Sequence, residues 1–182
     1  GKLCAELGYE DKLLDTGEIF HLWVIEGPQA LAKELPFAEA GLDVVWTDNQ
    51  KPYRDRKVAV LNGAHTASVL AAFHCGIDTV GDMMRDDDTG KFVRRFIDTE
   101  VVQTVDLPEA DKRAFAAAVV ERFQNPFIRH ELLSISLNSV SKWKVRALPT
   151  LKRHLARPGK LPPLAPPSLA ALPHSPHGRL GP

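Results

Sequence analysis

The chain has 182 residues, with 23 Lys and Arg against 23 Asp and Glu, so its formal net charge is zero. This neutrality provides no basic field of the kind that nucleic-acid-binding proteins use, and it predicts no nucleic-acid partner. Apolar residues make up 44% of the chain and charged residues 25%, which is typical of a globular protein. No run of about 18 apolar residues is present, so the sequence predicts no membrane-spanning helix.

Before Lys57 the sequence predicts only short elements. FHLWVIEGP (20–28) is rich in aromatic and β-branched residues and ends in a Gly-Pro pair, so it predicts a strand. LDVVWTD (42–48) predicts a second strand, and between the two Pro36 permits a short helix at most. We expect residues 1–56 to form a connecting segment that packs on a helical domain.

From Lys57 onward the apolar periodicity becomes helical. VAVLNGAHTASVLAAFHCG (58–76) predicts a long helix that ends at Gly76. Within it Gly63 costs about 1 kcal/mol relative to alanine, so we expect another backbone or a ligand to approach closely there. Further helices are predicted over three segments: 90–105, 108–124 and 126–155, the last of them divided by Pro149. The RDDD stretch (85–88) predicts a solvated loop and no metal site.

The end of the chain changes in composition. Eight of the 14 prolines fall at positions 158 to 182, which predicts an extended or disordered tail. The predicted organisation is therefore a connecting segment (1–56), a helical domain (57–157) and a Pro-rich tail (158–182).

The cysteines and the start of the chain also indicate the class of protein. Cys4 and Cys75 have no CxxC or zinc-ligand spacing, and no signal peptide precedes them. Two reduced thiols are typical of a cytoplasmic protein. The chain begins GKLCAELGYED without a Met, so we interpret it as the C-terminal part of a longer protein.

Three polar residues of the long predicted helix are candidates for catalysis. On an ideal α-helix Asn62 lies about 140° and His65 about 80° round from Lys57, so His65 sits between the other two. The rise from Lys57 to His65 is about 12 Å, which a lysine side chain can partly span. Asn62 and His65 are three residues apart and face the same way. The three side chains can therefore converge on one small volume.

The chemistry of these three groups suits proton handling at a reacting oxygen. A lysine that is partly removed from water can act as a general acid or base, because its charged form is disfavoured. An amide and an imidazole can donate hydrogen bonds to an oxygen that gains negative charge. A hydride could then move between the same carbon and a nicotinamide cofactor. The spacing alone is also consistent with a solvated Lys57, an Asn62 at a kink and a core His65 whose hydrogen bonds are satisfied.

The stretch TDNQKPYRDRKVAVLNGAHTA resembles the signature of the long-chain, polyol-specific mannitol dehydrogenase family, in which a Lys-x4-Asn-x2-His pattern carries the chemistry. FHLWVIEGP is similar to the strand before that site. ERFQNPFIRHELLSISLNSVSKWKVRALPTL resembles the branch that interconverts tagaturonate and altronate, the altronate oxidoreductases or tagaturonate reductases. The resemblance covers residues 5–163. After GKLPP the resemblance ends. Relatives continue there into a packed helical ending, of which SLAAL (168–172) looks like a remnant, but prolines interrupt that helix in this chain.

The resemblance implies a mainly α fold, a helical C-terminal catalytic domain of the 6-phosphogluconate-dehydrogenase-like type with a small strand component near the N-terminus. An N-terminal Rossmann-like domain would bind NAD, and this chain contains no G-x-G-x-x-G after a strand. The resemblance further implies that Lys57 is the general acid/base, and that Asn62 and His65 polarise the reacting oxygen. Alone, the chain should turn over little or no NADH.

A basic cluster could bind the carboxylate of a sugar acid. Lys142, Lys144 and Arg146 lie two residues apart and follow Asn138, so we take these four as candidate substrate-binding residues. A solvated basic helix end is the alternative. Within the family, mannitol, fructose or fructuronate are alternative substrates. The alternative from a different functional class is a non-enzymatic helical interaction module whose Pro-rich tail binds partner proteins.

Overall fold

The computed structural model describes residues 2–15, 17–156 and 161–174, and it is mainly helical, as predicted. The chain divides into two compact units, with the boundary between Gln50 and Lys51. The predicted helical domain began at residue 57. The observed unit begins earlier because the helix that contains Lys57 starts at Lys51.

The first unit contains two short helices and one small sheet. Its elements are α1 (Lys2–Leu7), β1 (Trp23–Glu26), α2 (Leu31–Glu34) and β2 (Val44–Thr47). Both predicted strands are confirmed with shorter bounds, and they pair in parallel with Trp23 opposite Val44. No residue of either strand is buried. Parallel sheets normally have both faces covered, so this pair is typical of part of a larger sheet.

The second unit is built from helices that pack around one central helix. Its α-helices are α3 (Lys51–Lys57), α4 (Gly63–His74), α5 (Val80–Arg85), α6 (Asp87–Arg95), α7 (Glu109–Phe123), α8 (Leu132–Ser136), α9 (Ser139–Arg146) and α10 (Leu148–Leu155). Two π-helical segments, Val58–Asn62 and Phe96–Val101, join α3 to α4 and extend α6. Residues 63–70 of α4 are all buried, so this helix forms the centre of the unit. None of the helices in the described part of the chain is long and apolar enough to cross a membrane.

The prediction of a solvated loop at RDDD is wrong. Asp86 is the N-cap of α6, and its carboxylate accepts hydrogen bonds from the backbone N–H groups of Asp88 (3.1 Å) and Thr89 (2.8 Å). Asp87 and Asp88 form the first turn, where negative charge is favourable with the helix dipole. In the described ranges no group of three or more His, Cys, Asp or Glu side chains could hold a metal.

The prediction of an extended or disordered tail is wrong for the residues that the structure describes there. Pro167–His174 forms a 3-10 helix, and Leu172 packs in a buried cluster with Leu70 and Trp143. Residues 157–160 and 175–182 of the predicted tail lie outside the described residues.

Buried polar contacts attach this closing segment to the helical unit. The indole Nε1–H of Trp143 donates to Ser168 Oγ at 2.8 Å. Glu100, which is 1% exposed, accepts the backbone N–H groups of Leu164 (2.6 Å) and Ala165 (2.8 Å). Hydrogen bonds to a charged acceptor are stronger than neutral ones, so these contacts stabilise a segment that its own prolines would not order.

Candidate functional site

The three catalytic candidates lie on one continuous helical stretch, and a π-helical turn separates Lys57 from the other two. The N–H of Gly63 donates to the carbonyl of Val58, five residues earlier, which is the hydrogen bond of a π-helix. A π-helical turn contains more residues than the 3.6 of an α-helical turn, so each residue in it rotates less than about 100° round the helix axis. Lys57 and Asn62 are therefore closer to a common face than the 140° of an ideal α-helix predicts. Single π-turns within α-helices occur frequently at functional sites.

The exposure of the three side chains increases toward the start of this stretch. Lys57 is exposed, Asn62 is half-buried and His65 is 8% exposed. The partial removal of Lys57 from water is therefore not provided by the described residues of this chain.

Gly63 allows α9 to pack directly against this helical stretch. A Cβ atom at residue 63 would lie 3.4 Å from the carbonyl oxygen of Arg146. The expected close approach of another backbone is thus confirmed. It places the C-terminal end of α9 beside Asn62.

His65 is enclosed by two aromatic rings. The Phe123 ring stacks on it with centroids 4.1 Å apart and an interplanar angle of 9°. The His130 ring lies at right angles to it, with centroids 5.3 Å apart. His65 Nε2 is buried and has no hydrogen-bond partner among the described residues. The described residues therefore do not satisfy the hydrogen bonds of this buried histidine, and an unpartnered buried nitrogen needs a functional or solvent partner.

The surroundings of His65 are cationic. Its pKa is lowered from 6.5 to about 3, first by burial and then by four neighbouring positive charges. Three of these charges belong to Arg146, Arg122 and Lys142, and the fourth belongs to the protonated form of His130, whose own pKa burial lowers. Burial also lowers the pKa of Lys142, with a further contribution from Arg146. An anion bound among these groups would be stabilised.

The structure separates the four substrate-binding candidates. Lys142 and Arg146 lie four residues apart on one face of α9, and both act electrostatically on His65. Their side chains donate to neutral oxygens, Lys142 Nζ to Ile135 O (2.8 Å) and Arg146 Nη1 to Thr66 Oγ1 (3.4 Å). Neither forms an ion pair with a carboxylate of the described residues.

The other two candidates are exposed. Lys144 lies two residues from both Lys142 and Arg146, and therefore on the other side of α9. Asn138 precedes α9 in the left-handed conformation (φ 58°), and its side chain makes no capping hydrogen bond. The structure thus places Lys142 and Arg146 near His65, whereas Lys144 and Asn138 are exposed.

A mainly apolar cavity that is partly open to solvent is lined by other residues of the helical unit. Its volume is about 210 Å³, and it is lined by residues of α4, α6 and the closing 3-10 helix: Ala67, Ser68, Ala71, Asp88, Thr89, Phe92, Pro167 and Ser168. None of the catalytic candidates lines it.

Sequence comparison identifies the family. Residues 49–172 match the model of the mannitol dehydrogenase C-terminal domain. The chain belongs to the mannitol dehydrogenase family. This match confirms the resemblance that the Lys-x4-Asn-x2-His pattern indicates.

Altronate oxidoreductases are among the similar members of the mannitol dehydrogenase family. The protein of that name from Yersinia pestis bv. Antiqua (strain Nepal516) is 50% identical over 170 residues, and the one from Pectobacterium carotovorum subsp. carotovorum (strain PC1) is 52% identical over 170 residues. Each alignment covers 93% of this chain and 35% of the relative. The chain thus spans about a third of the length of these relatives.

Two solved structures share the helical architecture. Pseudomonas fluorescens mannitol 2-dehydrogenase, in a ternary complex with NAD and D-mannitol, matches with a TM-score of 0.63 at 27% identity. This match covers 74% of our chain and 27% of that enzyme. A substrate-free D-sorbitol dehydrogenase matches with a TM-score of 0.70 at 23% identity, over 83% of our chain and 31% of that protein. The predicted helical fold of the mannitol dehydrogenase type is confirmed.

Proposed function

We propose that this chain supplies the catalytic and substrate-binding wall of a cytoplasmic NAD-dependent oxidoreductase that interconverts D-tagaturonate and D-altronate. The observation that carries the proposal is the cationic, partly buried surface beside the unpartnered His65 nitrogen. A sugar acid presents both groups that such a surface recognises, a carboxylate and a reacting oxygen. The similarity to altronate oxidoreductases favours the same substrate pair.

In the reducing direction the ketone of tagaturonate becomes the secondary alcohol of altronate. Bound NADH would supply the hydride to the carbonyl carbon. Lys57 then gives its proton to the carbonyl oxygen as the C=O bond becomes a C–O single bond. Asn62 and His65 donate hydrogen bonds to that oxygen while negative charge develops on it. In the oxidising direction Lys57 takes the proton back, so one residue serves as acid and base.

Lys142 and Arg146 are proposed to hold the carboxylate. A carboxylate that accepts hydrogen bonds from a cation forms one of the stronger polar contacts in proteins. Both side chains now donate to neutral oxygens, which a bound carboxylate could replace as acceptor. A neutral polyol has no carboxylate to accept these charge-assisted hydrogen bonds. We therefore expect the site to favour a sugar acid over mannitol.

The cofactor is proposed to bind mainly to an N-terminal Rossmann-like domain of the full-length protein. The residues of this chain do not fit NAD by themselves, because no glycine-rich turn links β1 to a following helix in the described residues. The parallel pair β1–β2 has no buried residue, and parallel sheets are stable when they are larger and covered on both faces. This favours the proposal that an N-terminal domain completes and covers the sheet.

A chimeric enzyme tests the proposal. In it, this chain replaces the matching segment of the Yersinia pestis altronate oxidoreductase, which is 50% identical. We expect NADH oxidation with D-tagaturonate. With D-fructose, kcat/KM should be at least about 10²-fold lower than with D-tagaturonate, because fructose lacks the carboxylate. D-Fructuronate is included as a second sugar acid.

The contribution of the cations is measured in the same assay. Lys142→Ala should raise KM for tagaturonate about 10- to 100-fold and leave KM for fructose nearly unchanged. Lys144→Ala is the matched control, because the structure places Lys144 on the other side of α9. A folded chimeric enzyme that turns over neither sugar acid, or that prefers fructose, would overturn the proposed function.

A further inference from the structure

His130 was not among the candidates from sequence, and its backbone is held in place by distant residues. The carbonyl of His130 accepts the N–H of Val80 at 2.9 Å, and the N–H of Leu132 donates to Asp78 O at 2.8 Å. Thr79 and Glu131 form an antiparallel bridge between these two bonds. The backbone on both sides of His130 is thus attached to the start of α5, which fixes the point from which its side chain extends toward His65.

The orientation of the His65 ring depends on packing. An imidazole in an active site is commonly oriented by a hydrogen bond from its second nitrogen to a carboxylate or carbonyl. None of the hydrogen bonds found among the described residues involves the His65 ring, and its Nε2 is buried without a partner. Phe123 stacks on one face of the ring and fixes its plane, but rotation by half a turn about the Cβ–Cγ bond keeps that plane and exchanges the two edges of the ring. The perpendicular contact with His130 restricts that rotation.

We propose that His130 is a positioning residue for the reaction: its anchored ring holds the imidazole of His65 in the orientation in which it meets the substrate oxygen. This role rests on the proposed function. His130 remains exposed to solvent, while His65 is buried.

Three variants of the chimeric enzyme separate positioning from other roles. His130→Ala removes the ring and should lower kcat about tenfold with KM for tagaturonate within about twofold, because a misplaced polarising group acts on the transition state. His130→Phe restores a ring of similar shape without nitrogen atoms, and should recover kcat to within about threefold of the original. His74→Ala, an exposed histidine at the end of α4, is the matched control and should leave kcat unchanged.

A second measurement does not depend on turnover. In the 182-residue chain with isotope-labelled histidine, His65 should give one sharp ring signal. That signal should be lost or broadened in His130→Ala and retained in His130→Phe.

The outcomes separate this inference from the proposed function. Unchanged kcat in His130→Ala, or an unchanged His65 signal in that variant, would overturn the positioning role. Equal losses of kcat in the Ala and Phe variants would also overturn it, since His130 would then contact the substrate through its nitrogens. An inactive parent enzyme would reject the proposed function, and the His65 signal would still decide whether His130 positions that ring.

Discussion

Replacement of Lys57 by alanine should lower kcat of the chimeric enzyme by about 10²- to 10⁴-fold, the usual contribution of a general acid or base. Without the amine, the ketone oxygen must take its proton from water during hydride transfer. KM for tagaturonate should change little, because the carboxylate is held by other cations. Steady-state kinetics of NADH oxidation measure both parameters.

A lysine on the same helix provides the control for this substitution. Lys51 lies at the first turn of α3 and pairs with Asp55 on the surface. Lys51→Ala should leave kcat within about twofold, since an exposed ion pair contributes little. Small primary amines added to Lys57→Ala should restore part of the lost rate. A folded Lys57→Ala enzyme that retains more than a tenth of kcat would contradict the role of Lys57.

Acid should destabilise this chain strongly through His65. The pKa of His65 is lowered to about 3 in the folded chain, whereas the unfolded chain has the ordinary histidine pKa of 6.5. Between these two pH values the unfolded state therefore binds a proton that the folded state does not. The stability associated with neutral His65 is therefore fully present above pH 6.5 and is lost as pH falls toward 3. Each pH unit in this window costs about 1.4 kcal/mol, or about 5 kcal/mol over the whole window.

Urea unfolding of the original chain and of His65→Phe measures this effect. Phenylalanine keeps a ring against Phe123 but does not titrate. Between pH 6.5 and pH 4.5 the free energy of unfolding of the original chain should fall by about 2 kcal/mol more than that of His65→Phe. Parallel curves for the two proteins would show that burial and the neighbouring cations do not keep His65 neutral.

Local pattern was sufficient to predict much of the fold. The strands near Trp23 and Val44 follow from β-branched and aromatic residues between turn signals, and α7 follows from a proline and acidic residues at its start. Gly63 predicted a close backbone contact because a glycine within a helix is unfavourable without one. The Lys57, Asn62 and His65 spacing placed three polar groups on one helical stretch.

The features that the sequence did not predict depend on distant contacts. The π-helical turn at 58–62 has no local composition signal that distinguishes it from an α-helix. Residues 164–174 are held by contacts with Glu100, Trp143 and Leu70, and their own prolines favour the opposite prediction. His130 reaches His65 through the backbone pairing of 130–132 with 78–80, which no periodicity in either segment indicates.

The most direct test of the central claim is a crystal structure of the chimeric enzyme with NAD and D-altronate. We predict that Lys57 Nζ, the Asn62 amide and one ring nitrogen of His65 lie within about 3 Å of the same substrate oxygen. The substrate carboxylate should contact Lys142 or Arg146. An altronate whose reacting oxygen lies beyond hydrogen-bond reach of Lys57, or whose carboxylate points away from α9, would contradict this account of the site.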